Sequence, residues 1–449
     1  MKRIFVLLLI AGSVYLAACD NESSLPQATG KASVRAINAI STSQDINVLI
    51  EERTIGTAAY TLSTPSSRYD DLDYTFNVEA FYASDRAFRR VASQFIDFEA
   101  SKDYTLLVSG SLQNADITVW EGDERSFDEA DTVFEARFAH ASDSIGTVDY
   151  YFADAAVAPT LGDQVATLSF GEISAPIDYE ANEYVLTITA AGDPDTVIYR
   201  SETTTFASRS ALIVTSFDSD ATNAAPVVVR AISTLGGIVS MPDAGIPPTT
   251  EFVNASMDLG TTDIYDDELL TSQRVTNHAY LDQSAEIDIA ADDNTFYYTP
   301  AGDTSAVLLE GSLPAFSGTR YRLVAVGTAG ELGTTIVVPD RQPAETHAKL
   351  LIFNASNNYD FVDIYTVEPD TSVDDSLPVR VAVPTRQAAT TVQLASGSYD
   401  LYVTELQEKV VLAGPYRIDV DIGDIVDSII VDTVDPAVLD VLFLSGGPL

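Results

Sequence analysis

The chain has 449 residues, 46% of them hydrophobic, and a formal net charge of −43 from 67 acidic and 24 basic residues. That hydrophobic fraction is normal for a globular protein and excludes wholesale disorder. The excess of acid makes nucleic acid an unsuitable partner, because phosphate binding needs a basic surface. Anionic lipid headgroups would also repel the body of the protein.

The first eighteen residues have the layout of a secretory signal peptide. Lys2 and Arg3 are followed by the apolar run 4–10, and small residues occupy positions 17–18. This apolar stretch is shorter than the roughly 20 residues that a membrane-spanning helix needs. We therefore predict an exported protein from which residues 1–18 are removed.

Residues Leu16-Ala17-Ala18-Cys19 resemble the lipobox of bacterial lipoproteins. The resemblance implies that the Cys19 thiol receives a diacylglyceryl group and that the chain is cut before this residue. It also implies acylation of the new amine, typically with palmitate. Two or more acyl chains hold a protein firmly on a membrane, at about 0.8 kcal/mol per buried CH₂. The alternative is an ordinary signal peptide with a chance cysteine.

The residues around the cleavage site bear on location and redox state. Cys19 is the only cysteine, so a lipidated chain would fold without disulfides. In enteric bacteria, an aspartate in the position of Asp20 resembles the signal that retains a lipoprotein on the inner membrane, facing the periplasm. An outer-membrane or cell-surface location is the alternative. The only partner that the sequence specifies is the membrane, which the protein would contact through its N-terminal lipid.

Four segments of the remaining chain share an opening phrase, and each is followed by an Asp-led phrase. The openings are Val34-Arg35-Ala36-Ile37-Asn38-Ala39, Ala136-Arg137-Phe138-Ala139-His140-Ala141-Ser142, Glu251-Phe252-Val253-Asn254-Ala255-Ser256 and Leu351-Ile352-Phe353-Asn354-Ala355-Ser356. The Asp-led phrases begin at Asp45, Asp149, Asp263 and Asp363. From the Asn or His to the Asp the gap is seven residues in the first copy and nine in the others. Repetition at about 100 residues indicates tandem domains.

Each copy contains short runs that alternate with period two and are rich in Val, Ile, Tyr and Thr. Gly, Pro, Asp and Ser turns bound these runs, which is typical of β-strands. Six to eight strands per ~100 residues predict an immunoglobulin-like sandwich, with a closed barrel as the alternative. The predicted fold is all-β: four tandem immunoglobulin-like β-sandwich domains after a lipoprotein signal peptide.

The repeats also set the predicted domain bounds. A tether covers 19–30, and a Pro- and Gly-rich segment at 234–250 is interpreted as a semi-stiff linker. The four predicted β-sandwich repeats occupy residues 31–125, 133–233, 251–339 and 347–449.

The phrases Asn-Ala-Ser, Asp-Ile-Tyr and the later Tyr-Arg-Leu-Val-Ala-Val-Gly resemble a bacterial family known as domain of unknown function 4397. Its members occur, often in tandem, in secreted and lipid-anchored envelope proteins. The third and fourth copies match best. The second has His140 in place of Asn, and the first has Ile40 in place of Ser. The resemblance implies no known activity.

No residue cluster announces a chemistry. His140, His278 and His347 lie far apart in the sequence without metal-ligand spacing. The nucleophile elbow, the phosphate-binding loop and the dinucleotide fingerprint are also missing from the sequence. We predict no enzyme, no cofactor and no metal site.

The recurring polar residues are interpreted as parts of the fold. Asn38, Asn254 and Asn354, with His140 at the same position, are expected to bond backbone where the first strand ends. The recurring aspartates are expected to start the next strand, with calcium binding as the alternative. Adjacent tyrosines, such as those at 150–151 and 297–298, would place one ring inward and one outward, where sugars could stack.

The leading functional hypothesis is a non-enzymatic, lipid-anchored envelope protein that presents its modules as a spacer or an interaction surface. A carbohydrate- or peptide-binding module is the second hypothesis, because sandwich loops and edge strands are common binding surfaces. An enzyme with a dispersed site is the third. An envelope protein or a glycan would be the partner in the first two cases.

Overall fold

The computed structural model describes residues 27–219, 225–234, 236–387 and 389–444. The predicted signal peptide, Cys19 and Asp20 lie outside this part. Within it, 34 strands and two short 3₁₀ helices, Met257–Leu259 and Val373–Asp375, form four units. No helix in the described residues has the length and apolar character to cross a membrane.

Unit 1 shows the plan that all four units share. Its strands are β1 (Lys31–Asn38), β2 (Ile46–Ile50), β3 (Arg53–Ala58), β4 (Ser67–Asp70), β5 (Asp73–Tyr82), β6 (Ala87–Asp97), β7 (Lys102–Ser111) and β8 (Asn114–Asp123). One sheet has the order β4-β1-β7-β8, and the other has the order β3-β2-β5-β6. β1 and β7 are parallel, whereas the other neighbours are antiparallel. We call the first sheet the parallel-pair sheet and the second the hairpin sheet.

Unit 2 adds two strands to this plan, β15 beside β13 and β18 beside β17. Its strands are β9 (Val133–Ala141), β10 (Val148–Ala153), β11 (Ala166–Leu168), β12 (Ile177–Glu180), β13 (Glu183–Ala190), β14 (Asp193–Arg200), β15 (Thr204–Thr205), β16 (Ala211–Asp218), β17 (Val227–Ser233) and β18 (Ile238–Met241).

The strand β18 lies inside the segment 234–250, which the sequence predicted as a linker. It pairs antiparallel with β17, and Met241 is buried in the core of unit 2. The segment therefore extends a sheet before it connects two units. Its four-residue strand is flanked by Gly and Pro residues, and the composition signal of these residues hid the strand.

Units 3 and 4 return to eight strands each. Unit 3 contains β19 (Thr249–Asn254), β20 (Thr262–Tyr265), β21 (Gln273–His278), β22 (Ile287–Asp288), β23 (Asp293–Pro300), β24 (Leu309–Pro314), β25 (Arg320–Val326) and β26 (Gly333–Val337). Unit 4 contains β27 (Ala348–Asn354), β28 (Phe361–Val367), β29 (Arg380–Pro384), β30 (Thr390–Leu394), β31 (Gly397–Glu405), β32 (Val411–Val420), β33 (Ile425–Asp432) and β34 (Leu439–Phe443).

Each unit closes an apolar core between its two sheets. In unit 1, Val34 of the parallel-pair sheet packs in the same core as Val48 and Phe76 of the hairpin sheet. This packing follows from the period-two alternation, which sends every second side chain inward. The prediction of an all-β chain of tandem sandwiches is confirmed, and each unit consists of two packed sheets rather than one closed sheet.

The parallel-pair sheets are apolar on both faces, as the unbroken run Leu106-Leu107-Val108 illustrates. Strands of this kind are buried on both sides. The outer faces of units 1 and 2 meet through Ile37, Trp120 and Phe217. Units 3 and 4 meet in the same way. We call these contacts the first and the second interface.

The two pairs also touch each other. Glu345, before the first strand of unit 4, accepts hydrogen bonds from Thr42 Oγ1 and from the Leu112 backbone N–H of unit 1. Ser317 of unit 3 donates to Glu202 of unit 2. Every unit therefore contacts two others.

Candidate functional site

The recurring asparagines lie at the end of the first strand of units 1, 3 and 4, and they are buried. In each, Oδ1 accepts the backbone N–H two residues later, from Ile40, Ser256 or Ser356, at 3.0–3.1 Å. Nδ2 donates to backbone carbonyls of neighbouring loops and strands, such as Ala58 and Gly260. The side-chain amide therefore binds the backbone groups that lose their strand partners where the first strand ends, as the sequence predicted.

His140 fills the same position in unit 2. Its Nδ1 faces the Ser142 backbone N–H at 3.3 Å, and its Nε2 lies 3.0 Å from the Gly146 carbonyl oxygen. Burial lowers the pKa of His140, so the neutral ring that performs these two roles is favoured. The predicted local hydrogen-bonding role is confirmed.

The other two histidines are also buried and lie in different units. Burial lowers the pKa of His278, and it lowers the pKa of His347 to about 4. In the described part of the chain, no group of three or more His, Cys, Asp or Glu side chains is placed to hold a metal ion.

The recurring aspartates of units 2, 3 and 4 lie within the second strand, and each binds both the neighbouring edge strand and a turn. Asp263 accepts the backbone N–H groups of Asn277 and Gly302, both at 2.8 Å. Asp363 accepts those of Ala382 and Gln407 at 2.7 and 2.8 Å. Each carboxylate thus joins the edge strand beside its own strand to a turn, a role in the fold that uses both oxygens.

In the first copy, the equivalent strand position holds a different residue from the one predicted. Asp45 is exposed and precedes β2. Ile46 pairs with Ala80 as Val148 pairs with Ala190, so Asn47 occupies the position of Asp149. From Asn38 to Asn47 the gap is nine residues, as in the other three copies. The irregular spacing in the first copy arose because Asp residues were aligned by identity. Aligned by strand register, all four copies have the same spacing.

The tyrosine row considered for sugar stacking does not reach the surface. Tyr150, Tyr151 and Tyr298 are buried, and Tyr297 is half-buried. Among the described residues, the exposed aromatic rings belong to phenylalanines, led by Phe95 and Phe316, which are 64% and 61% exposed.

The most concentrated buried charge lies in the second interface. The Arg322 guanidinium donates to Glu251 of its own unit at 2.7 Å and to Asp427 of unit 4 at 2.8 Å. Burial opposes the charge, but the two carboxylates raise the pKa of Arg322. Arg341 adds a third contact to Glu251 at 3.4 Å. Each of Glu251, Arg322 and Asp427 thus has an opposite charge within contact distance.

The equivalent place in the first interface is built differently. The strand registers set Arg35 opposite Thr105 where Glu251 lies opposite Arg322, and Ile213 takes the place of Asp427. Arg35 Nε donates to Thr105 Oγ1 at 3.0 Å. Its Nη1 donates at 2.9 Å to the carbonyl oxygen of Ser233 in unit 2.

Charge compensation of Arg35 is incomplete. Its Nη2 lies 3.6 Å from Asp103 Oδ2 and makes no hydrogen bond to a described residue. Burial lowers the pKa of Arg35 and raises that of Asp103. Both residues line a cavity of about 460 Å³, together with Arg137 and several surface acids. The lining mixes both signs, so we interpret the cavity as a hydrated ionic network.

Sequence reasoning missed these interfaces. Some of the residues that form them, such as Ile37 and Ala139, belong to the recurring opening phrase, but the direction of their side chains was not known. The signal available was the continuous apolar character of the first and seventh strands, which predicts burial on both faces.

Taken together, the fold and the interfaces define a protein of tandem β-sandwiches whose units associate in pairs. The family model described as "Domain of unknown function (DUF4397)" matches residues 32–151 and 249–365. These regions cover more than half of the chain, which therefore belongs to this family. Each match runs from the first strand of one unit into the second strand of the next unit. The matches thus repeat with the period of the pairs.

Two further comparisons add little. No curated protein matches the chain. Solved structures that match include the Bacillus anthracis TIE protein, which is 10% identical over 90% of this chain and 69% of that chain, with a TM-score of 0.15.

Proposed function

We propose that this chain is a non-enzymatic, lipid-anchored protein of the bacterial cell envelope whose four units together present an interaction surface. The anchor is carried by the motif Leu16–Cys19. In a chain with a net charge of −43, membrane attachment falls to the lipid, because the protein surface and anionic headgroups repel each other.

The observation that favours an interaction surface over a spacer is the repeated pairing of units. In the first interface, Tyr60 donates its hydroxyl to the carbonyl oxygen of Asp218, and in the second, Tyr280 does the same to Asp432. An extended spacer would leave its units as separate beads on exposed linkers. Here the units share apolar layers, so their relative orientation is fixed and the same outer surfaces are exposed to solvent.

The use of the polar residues supports a non-enzymatic role. The residues that recur, such as Asn254 and Asp263, are saturated by backbone groups. The histidines are buried with a lowered pKa, which suits a structural side chain more than an exchangeable proton donor.

The anchor is tested by replacing Cys19 with Ala in the full chain. Cells fed an alkyne analogue of palmitate should label the wild-type protein and not the variant, and the variant should leave the membrane fraction. Asp20→Ser serves as the matched control: it should keep the label and move the protein from the inner to the outer membrane. Equal labelling of the wild type and the Cys19 variant would refute the anchor.

The interaction surface is tested by photo-crosslinking in the intact envelope, followed by identification of the captured partner. Reproducible capture at one face is expected. Hydrolytic activity of the purified chain on a broad substrate panel would contradict the non-enzymatic part of the proposal.

A further inference from the structure

The sixth strand of unit 1, β6, is an unusual sheet edge. It is the last strand of its hairpin sheet and pairs with β5 alone. It runs for 11 residues without a proline. The corresponding edge strands of units 2, 3 and 4 each contain a proline, at Pro194, Pro314 and Pro415. Proline protects an edge from further pairing because it lacks a backbone donor. The edge at β6 lacks this protection.

The side chains of β6 on the outer face comprise two phenylalanine rings with polar groups between them. Phe88 and Phe95 are 56% and 64% exposed, and Arg90 and Ser93 lie between them and are also exposed. A register shift beside Val91 keeps Phe88 and Phe95 on the same face although they are seven positions apart in the sequence. The Phe88 ring is held by an edge-to-face contact with Phe81, with 5.6 Å between the centroids.

From this pattern we infer that β6 pairs antiparallel with β6 of a second copy of the chain, joining two hairpin sheets across a two-fold axis. The axis passes between Val91 and Ala92. Phe88 of each copy then lies opposite Phe95 of the other.

The same register makes the remaining pairs complementary. Arg86, just before the strand, lies opposite Asp97, and Arg90 lies opposite Ser93. Arg86 and Asp97 are exposed, and neither forms an ion pair within the described chain. Cross-strand aromatic pairs and opposite charges stabilise antiparallel strands. An isologous contact of this kind closes as a dimer and does not propagate.

Neighbouring registers lose this complementarity. A slip of two residues in one direction sets Phe88 opposite Ser93 and Phe95 opposite Arg86. A slip in the other direction sets Phe88 opposite Asp97 and Arg90 opposite Phe95. The pattern therefore specifies one register for the pairing of β6 with itself. Binding of an unrelated peptide would not require such self-complementarity.

The inference rests on the proposed interaction surface and names its partner, but it does not depend on the lipid anchor. The net charge of each copy opposes association at low salt, and salt screens this repulsion. We expect the dimer fraction to rise when the salt concentration increases from about 20 mM to the physiological 0.15 M.

The test uses the full chain carrying Phe88→Cys and Phe95→Cys together. Opposite residues in an antiparallel pair have Cα atoms about 4.5–5.5 Å apart, within the range that a disulfide spans. Mild oxidation should give a covalent dimer on a non-reducing gel. Each single variant should give only the background of the wild-type chain, because the two copies of one residue would be about 20 Å apart along the strands.

Two further variants decide the register and the chemistry. Phe88→Cys with Ser93→Cys, which is out of register by two residues, should not crosslink. Arg86→Asp should lower the dimer fraction in sedimentation at least threefold, and adding Asp97→Arg should restore it. Crosslinking of the single variants as strongly as the double one, or a double charge variant that stays monomeric, would overturn the inference. Failure of the Cys19 labelling test would leave it intact.

Discussion

The first and second interfaces have the same geometry and different side chains. The first fills its centre with Trp120 and Phe217, and the small Ala139 lies beside them. At the equivalent strand positions the second has Val337, Val431 and the large Phe353. Bulk lost at one position is regained at another, as is usual when packed layers conserve total volume. Pairing of the units therefore depends on a filled apolar layer and not on one residue.

The two interfaces differ more in how their buried arginines are compensated by opposite charges. Arg322 bridges one carboxylate from each unit, whereas Arg35 has one carboxylate at 3.6 Å and a carbonyl oxygen of the partner unit. A buried charge is retained only with good partners, because desolvation is costly. In the second interface, direct contacts with carboxylates thus compensate the charge of Arg322. In the first, the charge of Arg35 is compensated only in part, and the rest of the guanidinium faces a cavity.

The largest expected effect comes from Arg322→Ala. The change removes the cation that the buried Glu251 and the half-buried Asp427 share, and leaves Glu251 only the longer contact to Arg341, which should cost about 3–5 kcal/mol of the free energy of unfolding. Urea denaturation followed by circular dichroism measures it. Arg320→Ala is the matched control on the same strand; its ion pair to Glu286 is partly exposed and should be worth less than about 1 kcal/mol.

The same substitution in the first interface sharpens the comparison. Arg35→Ala removes two hydrogen bonds, but Asp103 keeps access to water through the cavity. We expect a loss of about 1–3 kcal/mol. Equal losses at Arg322 and Arg35 would contradict the distinction between a closed and an open ionic site.

An effect of comparable size is expected from acid at the start of unit 4. Burial lowers the pKa of His347 to about 4, against about 6.5 in the unfolded chain. As the pH falls below 6.5 the unfolded chain binds this proton first, so stability is lost progressively down to about pH 4. The loss from this group amounts to about 3 kcal/mol. The equivalent residue in unit 2 is Val133, which does not titrate.

The measurement compares the wild type with His347→Gln at pH 7 and at pH 4.5. The difference in unfolding free energy between the two pH values should be about 2–3 kcal/mol smaller in the variant. Intrinsic fluorescence of Trp120, the only tryptophan, reports the first interface in the same samples. An unchanged pH difference would show that other groups dominate acid sensitivity.

The fold could be predicted from the sequence because four copies of one strand pattern reinforce each other. The roles of Asn38, Asn254, Asn354 and His140 were predictable for the same reason, since a residue that recurs in every copy serves the fold. The pairing of units was not predictable. An apolar outer face such as that of Leu106–Val108 requires a cover, but the sequence does not say which unit provides it. The aspartate of the first copy was misplaced because residue identity was compared before strand register.

The smallest expected effect tests that corrected register. Asp363 accepts two backbone N–H groups, and Asp363→Asn would turn one acceptor into a donor that faces a donor. The expected loss is about 1–2 kcal/mol. In unit 1 the same position holds the half-buried Asn47, and Asn47→Asp should change stability by less than about 0.5 kcal/mol, as for ordinary surface changes. Similar losses from both changes would mean that the position has the same role in all four units. Unequal losses are expected, because this position of unit 1 holds an amide in place of a carboxylate.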